Sequence, residues 1–203
     1  VEPDGRPWAE LWLGTHPNGP TRLADGSPLN EVTGDLPYLL KVLAAARPLS
    51  LQTHPGADQA ADGHARGVFA DPCSKPELLC ALTEFEAVCG IRPVGPTLGL
   101  LSDLGDGLDE LATVLTEAGP RAALTGLYRG LIDPLPVIAA CSTSSRPEAV
   151  WVRRLDGMYP GEASVAVTLL MNYVVLAPGE AIRLDAGNLH AYLRGAGVEL
   201  MGA

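Results

Sequence analysis

Lysine is almost absent from this chain of 203 residues, with Lys41 and Lys75 its only two. The other twelve basic residues are arginines, and 24 acidic residues leave a formal net charge of -10. A basic face of the kind that tracks a nucleic-acid backbone is therefore not expected. No two cysteines stand in a CxxC pair, which removes the commonest zinc-ribbon and redox signatures. Cys73, Cys80, Cys89 and Cys141 read as scattered reduced thiols, because a chain of this length does not need disulfide staples. Long apolar runs are missing too. The longest, from Val165 to Leu176, falls short of the ~18 residues of a membrane span and contains Thr168 and Asn172. No secretory leader is read ahead of the first motif, so the expected setting is cytoplasmic, without a membrane or nucleic-acid partner. With 47% apolar and 19% charged residues, the composition is that of a folded globule with a sizeable core.

Turns rich in Pro and Gly punctuate the first third: 14–20, 25–28 and 34–37. The apolar runs between them, notably Tyr38 to Ala46 and Pro48 to Gln52, predict short strands. From Leu98 to about Ile138 the spacing becomes helical. Leu101, Leu104, Leu108, Leu111 and Leu115, then Leu124, Leu127 and Leu131, predict two or three amphipathic helices broken at Gly119-Pro120 and Asp133-Pro134. The last third returns to strands, with Ala163 to Leu176 read as one long strand and Ala181 to Leu184 as a half-buried one.

Three short segments hold residues suited to chemistry. On an extended chain Ser50, Gln52 and His54 share one face, which fits a solvent edge or a divalent-metal site with imidazole and amide ligands. Ser74-Lys75-Pro76-Glu77 reads locally as a capping box opening a helix. Beyond the Ala186-Gly187-Asn188 turn, His190 and Tyr192 fall on one face of a new strand. Gln52, His54, Glu77 and His190 together make a mixed nitrogen and oxygen donor set. Long sequence gaps separate them, so spacing alone does not bring them together.

Five blocks in order carry a resemblance: Ala9-Glu10-Leu11-Trp12-Leu13-Gly14-Thr15-His16-Pro17, Leu36 to Leu43, Pro48 to Pro55, Lys75-Pro76-Glu77-Leu78 with Ala81-Leu82-Thr83, and Ala186 to Tyr192 running through Gly197-Val198-Glu199-Leu200-Met201. They resemble the type I mannose-6-phosphate isomerase family over nearly the whole chain. The resemblance implies a mainly β cupin (jelly-roll β-barrel) with an α-helical insertion, laid out as a first cupin portion over 1–97, the insertion over 98–146, and returning cupin strands over 147–203. It implies one Zn2+ per chain on Gln52, His54, Glu77 and His190, and it makes Lys75-Pro76-Glu77 the start of a strand rather than a helix. It also implies a phosphorylated hexose substrate, with Lys75, Tyr192 and Glu199 as catalytic residues and Ser50 and Lys41 in substrate binding. The base is either Glu199 or a water on the metal, and Ser50 and Lys75 are the visible candidates for holding phosphate. The implied reaction interconverts mannose 6-phosphate and fructose 6-phosphate through a cis-enediol. The alternatives are a cupin module that binds metal or sugar without catalysis, and a metal-dependent cupin enzyme of another class, such as an oxygenase with iron held mainly by histidines.

Some features depart from the family. Asp185 stands where the family usually has Pro. The family's first strands, and the Asn-rich segment leading to an arginine after Glu-Leu-Met, are not in the sequence, so both ends are expected to be missing. The segments 56–74 and before Leu36 are short, as if internal residues were absent too.

Overall fold

The structure, a computed structural model, describes residues 9–202. It divides the chain into two units, one formed by residues up to Ala87 with those from Val175 onward, the other by Val88–Val174.

The first unit is built on antiparallel strands: β1 (Glu10–Leu13), β2 (Tyr38–Ala45), β3 (Glu77–Ala81), β6 (Ala181–Leu184) and β7 (His190–Gly202). They lie side by side in the order β1-β2-β7-β3-β6. Burial alternates along them as a sheet with one covered face requires. In β3, Glu77, Leu79 and Ala81 are buried while Leu78 is exposed. In β7, Gly197, Glu199 and Met201 are buried between exposed or half-buried neighbours. The registers set these residues in rows, Trp12 opposite Lys41 and Lys41 opposite Glu199, with Glu77 opposite Met201. Two helices, α1 (Asn30–Thr33) and α2 (Ala57–Ala65), sit in the connections.

The β2 strand matches the expected run. Pro48 to Gln52 does not become a strand, and only Gln52 makes an isolated bridge, to His190. Pro48 and Pro55 bracket the segment and have no N–H to extend a ladder. At Lys75-Pro76-Glu77 the local capping-box signal loses and the strand implied by the resemblance holds, since β3 begins at Glu77.

The chain leaves the first unit within β4 (Phe85–Ile91) and returns within β5 (Met171–Leu176), two strands that pair with each other. The second unit is mainly helical: α3 (Val94–Leu104), α4 (Asp109–Tyr128), α5 (Pro134–Ala139), α6 (Pro147–Asp156) and α7 (Ala163–Val167). The helices extend well past residue 146, where the insertion was expected to end. The break foreseen at Gly119-Pro120 is a kink inside α4, with Gly119 at φ 80°. The one at Asp133-Pro134 starts α5, where the Asp133 carboxylate accepts a hydrogen bond from Leu135 N at 2.9 Å.

Two expectations fail in this unit. Leu131 is 72% exposed, and Ile132 is buried in its place. Helix α4 stops at Tyr128, so the helical period no longer applies, and the amides of Leu131 and Ile132 both donate to Gly126 O. Gly126 leaves the space that Ile132 fills, since a Cβ there would lie 2.8 Å from Ile132 Cδ1. The run Ala163 to Leu176 is not one strand. It is α7, a 3-10 turn over Thr168–Leu170, and only then β5. Val165 to Met171 are all buried, and a buried helical turn is apolar on every side, so its composition is that of a buried strand. Arg92 orders the core here, with Nη2 2.9 Å from Glu148 Oε1 and 2.8 Å from the Met171 carbonyl.

Candidate metal centre and pocket

All of the residues in question belong to the first unit. The register of β3 buries Glu77, whose side chain is 4% exposed. Two histidines meet its carboxylate. His54 Nε2 lies 2.9 Å from Oε1 and His190 Nε2 lies 3.1 Å from Oε2. The three donor groups lie within 4.8 Å of one another. His54 comes from the loop after Gln52, and His190 opens β7. Reciprocal backbone hydrogen bonds join these segments, Gln52 N to His190 O at 2.8 Å and His190 N to Gln52 O at 2.9 Å. A further bond from Gly187 N to His54 O, 2.7 Å, closes the turn that precedes His190.

The electrostatics suit a cation. Burial is the largest influence on Glu77 and on its own would raise the carboxyl. The close approach of the His190 ring nitrogen, with the charges of His190, His54 and Lys41, outweighs it and holds the group below its ordinary value. For His190, burial pulls the imidazole down. Glu77, the Asn188 carbonyl and the charge of Glu199 carry it above its usual value instead. Glu77 Oε2 is fully buried and lacks an aligned hydrogen bond despite the nearby His190 nitrogen. The contact from His190 Nδ1 to the Asn188 carbonyl, 3.1 Å, fits a proton on Nδ1, which leaves Nε2 the nitrogen that would take an ion. Two imidazole nitrogens and an orphaned carboxylate oxygen converging in this way fit a divalent ion of the zinc type. Gln52 joins them in the pocket. Its Nε2 donates to Ser50 Oγ at 2.7 Å, so the amide nitrogen is occupied and not the carbonyl oxygen that a metal takes.

A cavity of about 60 Å3 holds this cluster together with Ser50, Lys41, Tyr192 and Glu199. Lys41 Nζ lies 3.1 Å from Glu199 Oε2, and the Tyr192 hydroxyl donates to Glu199 Oε1 at 2.8 Å. Glu199 itself is 3% exposed. Of the nine residues singled out from sequence, eight line this pocket. Lys75 does not: its Nζ pairs with Asp71 Oδ2 at 2.8 Å, and that lysine holds the Asp71 carboxyl below its ordinary value. Sequence reasoning passed over Glu10, which lines the pocket and accepts a 2.6 Å hydrogen bond from Trp12 Nε1. The signal was present in the first block, where Glu10 and Trp12 share a face of β1.

The antiparallel sheet, with a His–Glu–His cluster where β3 and β7 begin, fits the cupin class. Within that class, residues 26–94 match the model of the phosphomannose isomerase type I catalytic domain. Mannose-6-phosphate isomerase of Shigella flexneri is 31% identical over 242 aligned positions that take in 98% of this chain and 61% of the relative. Its counterpart in Salmonella typhimurium is 32% identical, over 99% of this chain and 62% of the relative. The crystal structure of an arginine-to-alanine variant of phosphomannose isomerase from Salmonella typhimurium superposes with a TM-score of 0.86 at 29% identity, covering 100% of this chain and 61% of that one. A mannose 6-phosphate isomerase bound with zinc and yttrium gives 0.85 at 29% identity, with 100% of this chain and 61% of that one covered. The resemblance to the type I family is borne out along the chain, which spans about 61% of the length of the first of these relatives. The 242 aligned positions exceed the 203 residues here, so the relative has internal segments that this chain lacks.

Proposed function

We propose that this chain carries the metal and substrate centre of a zinc-dependent mannose-6-phosphate isomerase, interconverting mannose 6-phosphate and fructose 6-phosphate through a cis-enediol. The observation that carries the proposal is the sharing of one pocket by the His54–Glu77–His190 cluster and the Lys41–Glu199–Tyr192 network. A site that only binds metal has no need of the second group. In this reading Gln52, His54, Glu77 and His190 hold one Zn2+. When bound, zinc supplies positive charge that stabilises negative charge developing on the sugar's carbonyl and hydroxyl oxygens.

The rest of the chemistry falls to the chain's own groups. An aldose–ketose isomerisation moves a proton between adjacent carbons, and Glu199 is the proposed base. Lys41 and Tyr192 each engage one of its oxygens, which fixes the carboxylate and tempers its basicity. Tyr192 gives its hydroxyl proton to the sugar's carbonyl oxygen as the enediol forms and regains one from the neighbouring hydroxyl as it collapses, and Ser50 and Lys41 contact the substrate. Lys75 has the weaker case, being engaged by Asp71, and the reaction as proposed does not use it. Residues 88–174 serve as a largely helical insertion within the cupin portion. No helix of the described residues is long and apolar enough to cross a membrane. The proposed setting is cytoplasmic, which suits the free thiols of Cys73, Cys80 and Cys141.

The test is a coupled assay for fructose 6-phosphate on the whole protein, before and after chelation, with zinc added back. Activity lost to the chelator and restored by zinc supports the proposal. Activity that persists after metal analysis shows the ion gone removes the zinc mechanism. A folded, zinc-loaded protein that turns nothing over points to the binding module instead.

A further inference from the structure

The block Ala9–Pro17 carries the resemblance, yet the reaction as proposed uses none of its residues. We infer that Trp12 is a positioning residue that sets the Lys41–Glu199 pair for proton transfer, an inference that rests on the isomerase reading. Trp12, Lys41 and Glu199 face one another across β1, β2 and β7 in a single register row. The Lys41 ammonium sits 5.8 Å from the centroid of the Trp12 ring and 3.1 Å from Glu199 Oε2. Trp12 does not itself line the pocket, so it acts through its neighbours.

The ring is held from other sides as well. His16 packs edge-on against it at 4.9 Å with a 75° interplanar angle, and the indole N–H is spent on Glu10. Lysine is a compact charge on a flexible four-carbon stem, and one carboxylate contact does not fix its direction. An aromatic face attracts the ammonium without demanding a hydrogen bond. It narrows the Lys41 rotamers to those that also meet Glu199, and so keeps Glu199 Oε2 paired while Oε1 takes the Tyr192 hydroxyl. Only a residue with a large π face does this. An aliphatic side chain in its place fills the space and leaves Lys41 to wander.

The test uses the zinc-loaded whole protein and compares kcat and KM for mannose 6-phosphate in wild type, Trp12→Phe, Trp12→Leu, Lys41→Met and the Trp12→Leu/Lys41→Met double variant. Zinc content and thermal melts are recorded for each. Trp12→Phe keeps a π face and should hold kcat within about twofold, whereas Trp12→Leu should lose roughly tenfold in kcat, with KM moving less. In the Lys41→Met background the Leu substitution should cost little more, because the group it positions has gone. Should Trp12→Leu fail to fold, fluorinated tryptophans placed at position 12 keep the shape and weaken the ring's field, and kcat should fall with each added fluorine. A wild-type kcat in Trp12→Leu, a full repeat of its loss without Lys41, or indifference to fluorination overturns the inference while the isomerase reading stands. An inactive wild type removes that reading and this inference with it.

Discussion

Gly197 offers the sharpest check on how the sheet holds the pocket. It lies in β7 opposite Leu43 of β2 and Ala81 of β3. A Cβ built there would stand 2.9 Å from Leu79 Cδ1 and 3.0 Å from the Cys80 carbonyl oxygen. Leu79 is fully buried and can rotate only by disturbing the core, and the carbonyl is backbone of the neighbouring strand. Gly197→Ala must therefore push β7 away from β3 by a few tenths of an ångström. Overpacking of this kind costs about 1–3 kcal/mol. For a chain of 203 residues that lowers the melting temperature by roughly 2–12 °C. Glu199 lies two residues further on the same face, so the displaced strand should also loosen Lys41 and Tyr192 and reduce turnover. Gly99→Ala is the control. It sits in α3 with open space around the added carbon, and should leave the melting temperature level or slightly raised. Calorimetry on both variants decides the matter. A Gly197→Ala protein that melts with wild type would mean that β3 and β7 are not packed as described.

Three other outcomes are expected. Glu77→Gln keeps the shape of the buried carboxylate and removes its charge, so zinc affinity measured by competition should fall at least about tenfold to a hundredfold. Unchanged affinity would take Glu77 out of the ligand set. Arg92→Met strands Glu148, whose side chain is 17% exposed, and should cost about 2 kcal/mol by denaturant unfolding, less than the ~3–5 kcal/mol of a fully enclosed pair. Burial pushes the Cys141 thiol up to about 11, with Arg153 opposing weakly. At pH 8 about one such thiol in a thousand is ionised, so in the native protein Cys73, which is exposed, should be alkylated long before Cys141.

What the sequence disclosed followed from how local each signal is. The same-face spacing of Ser50, Gln52 and His54 is a property of extended chain, and all three do line one pocket. The leucine spacing marked α3 and α4 because a helix repeats its own pattern. Once α4 ended, the pattern said nothing about Leu131 and Ile132. Ala163 to Leu176 misled for the opposite reason. A segment buried all round has no polar side to reveal its period. At Ser74 to Glu77 a nearby cap competed with a strand that exists only because β6 and β7 pair on either side of it, and no local rule sees those partners. The meeting of Glu77 with His54 and His190 depends on such pairings too, so it came from resemblance and not from spacing. Lys75, taken from the resemblance, is the one such residue that stands outside the pocket, paired with Asp71. The block marks where the lysine starts, but its partner Asp71 lies outside the block.

The reciprocal bonds between Gln52 and His190 bear on how an ion would arrive. Two of the four proposed donors are tied to each other through their main chains, by bonds that do not pass through an ion. Loading then asks only for side-chain rotation and loss of protons, not for a loop to condense around the cation. Removing the ion should leave the amide hydrogens of residues 52 and 190 as slow to exchange with solvent as before, and metal-free protein should take up zinc without a folding step.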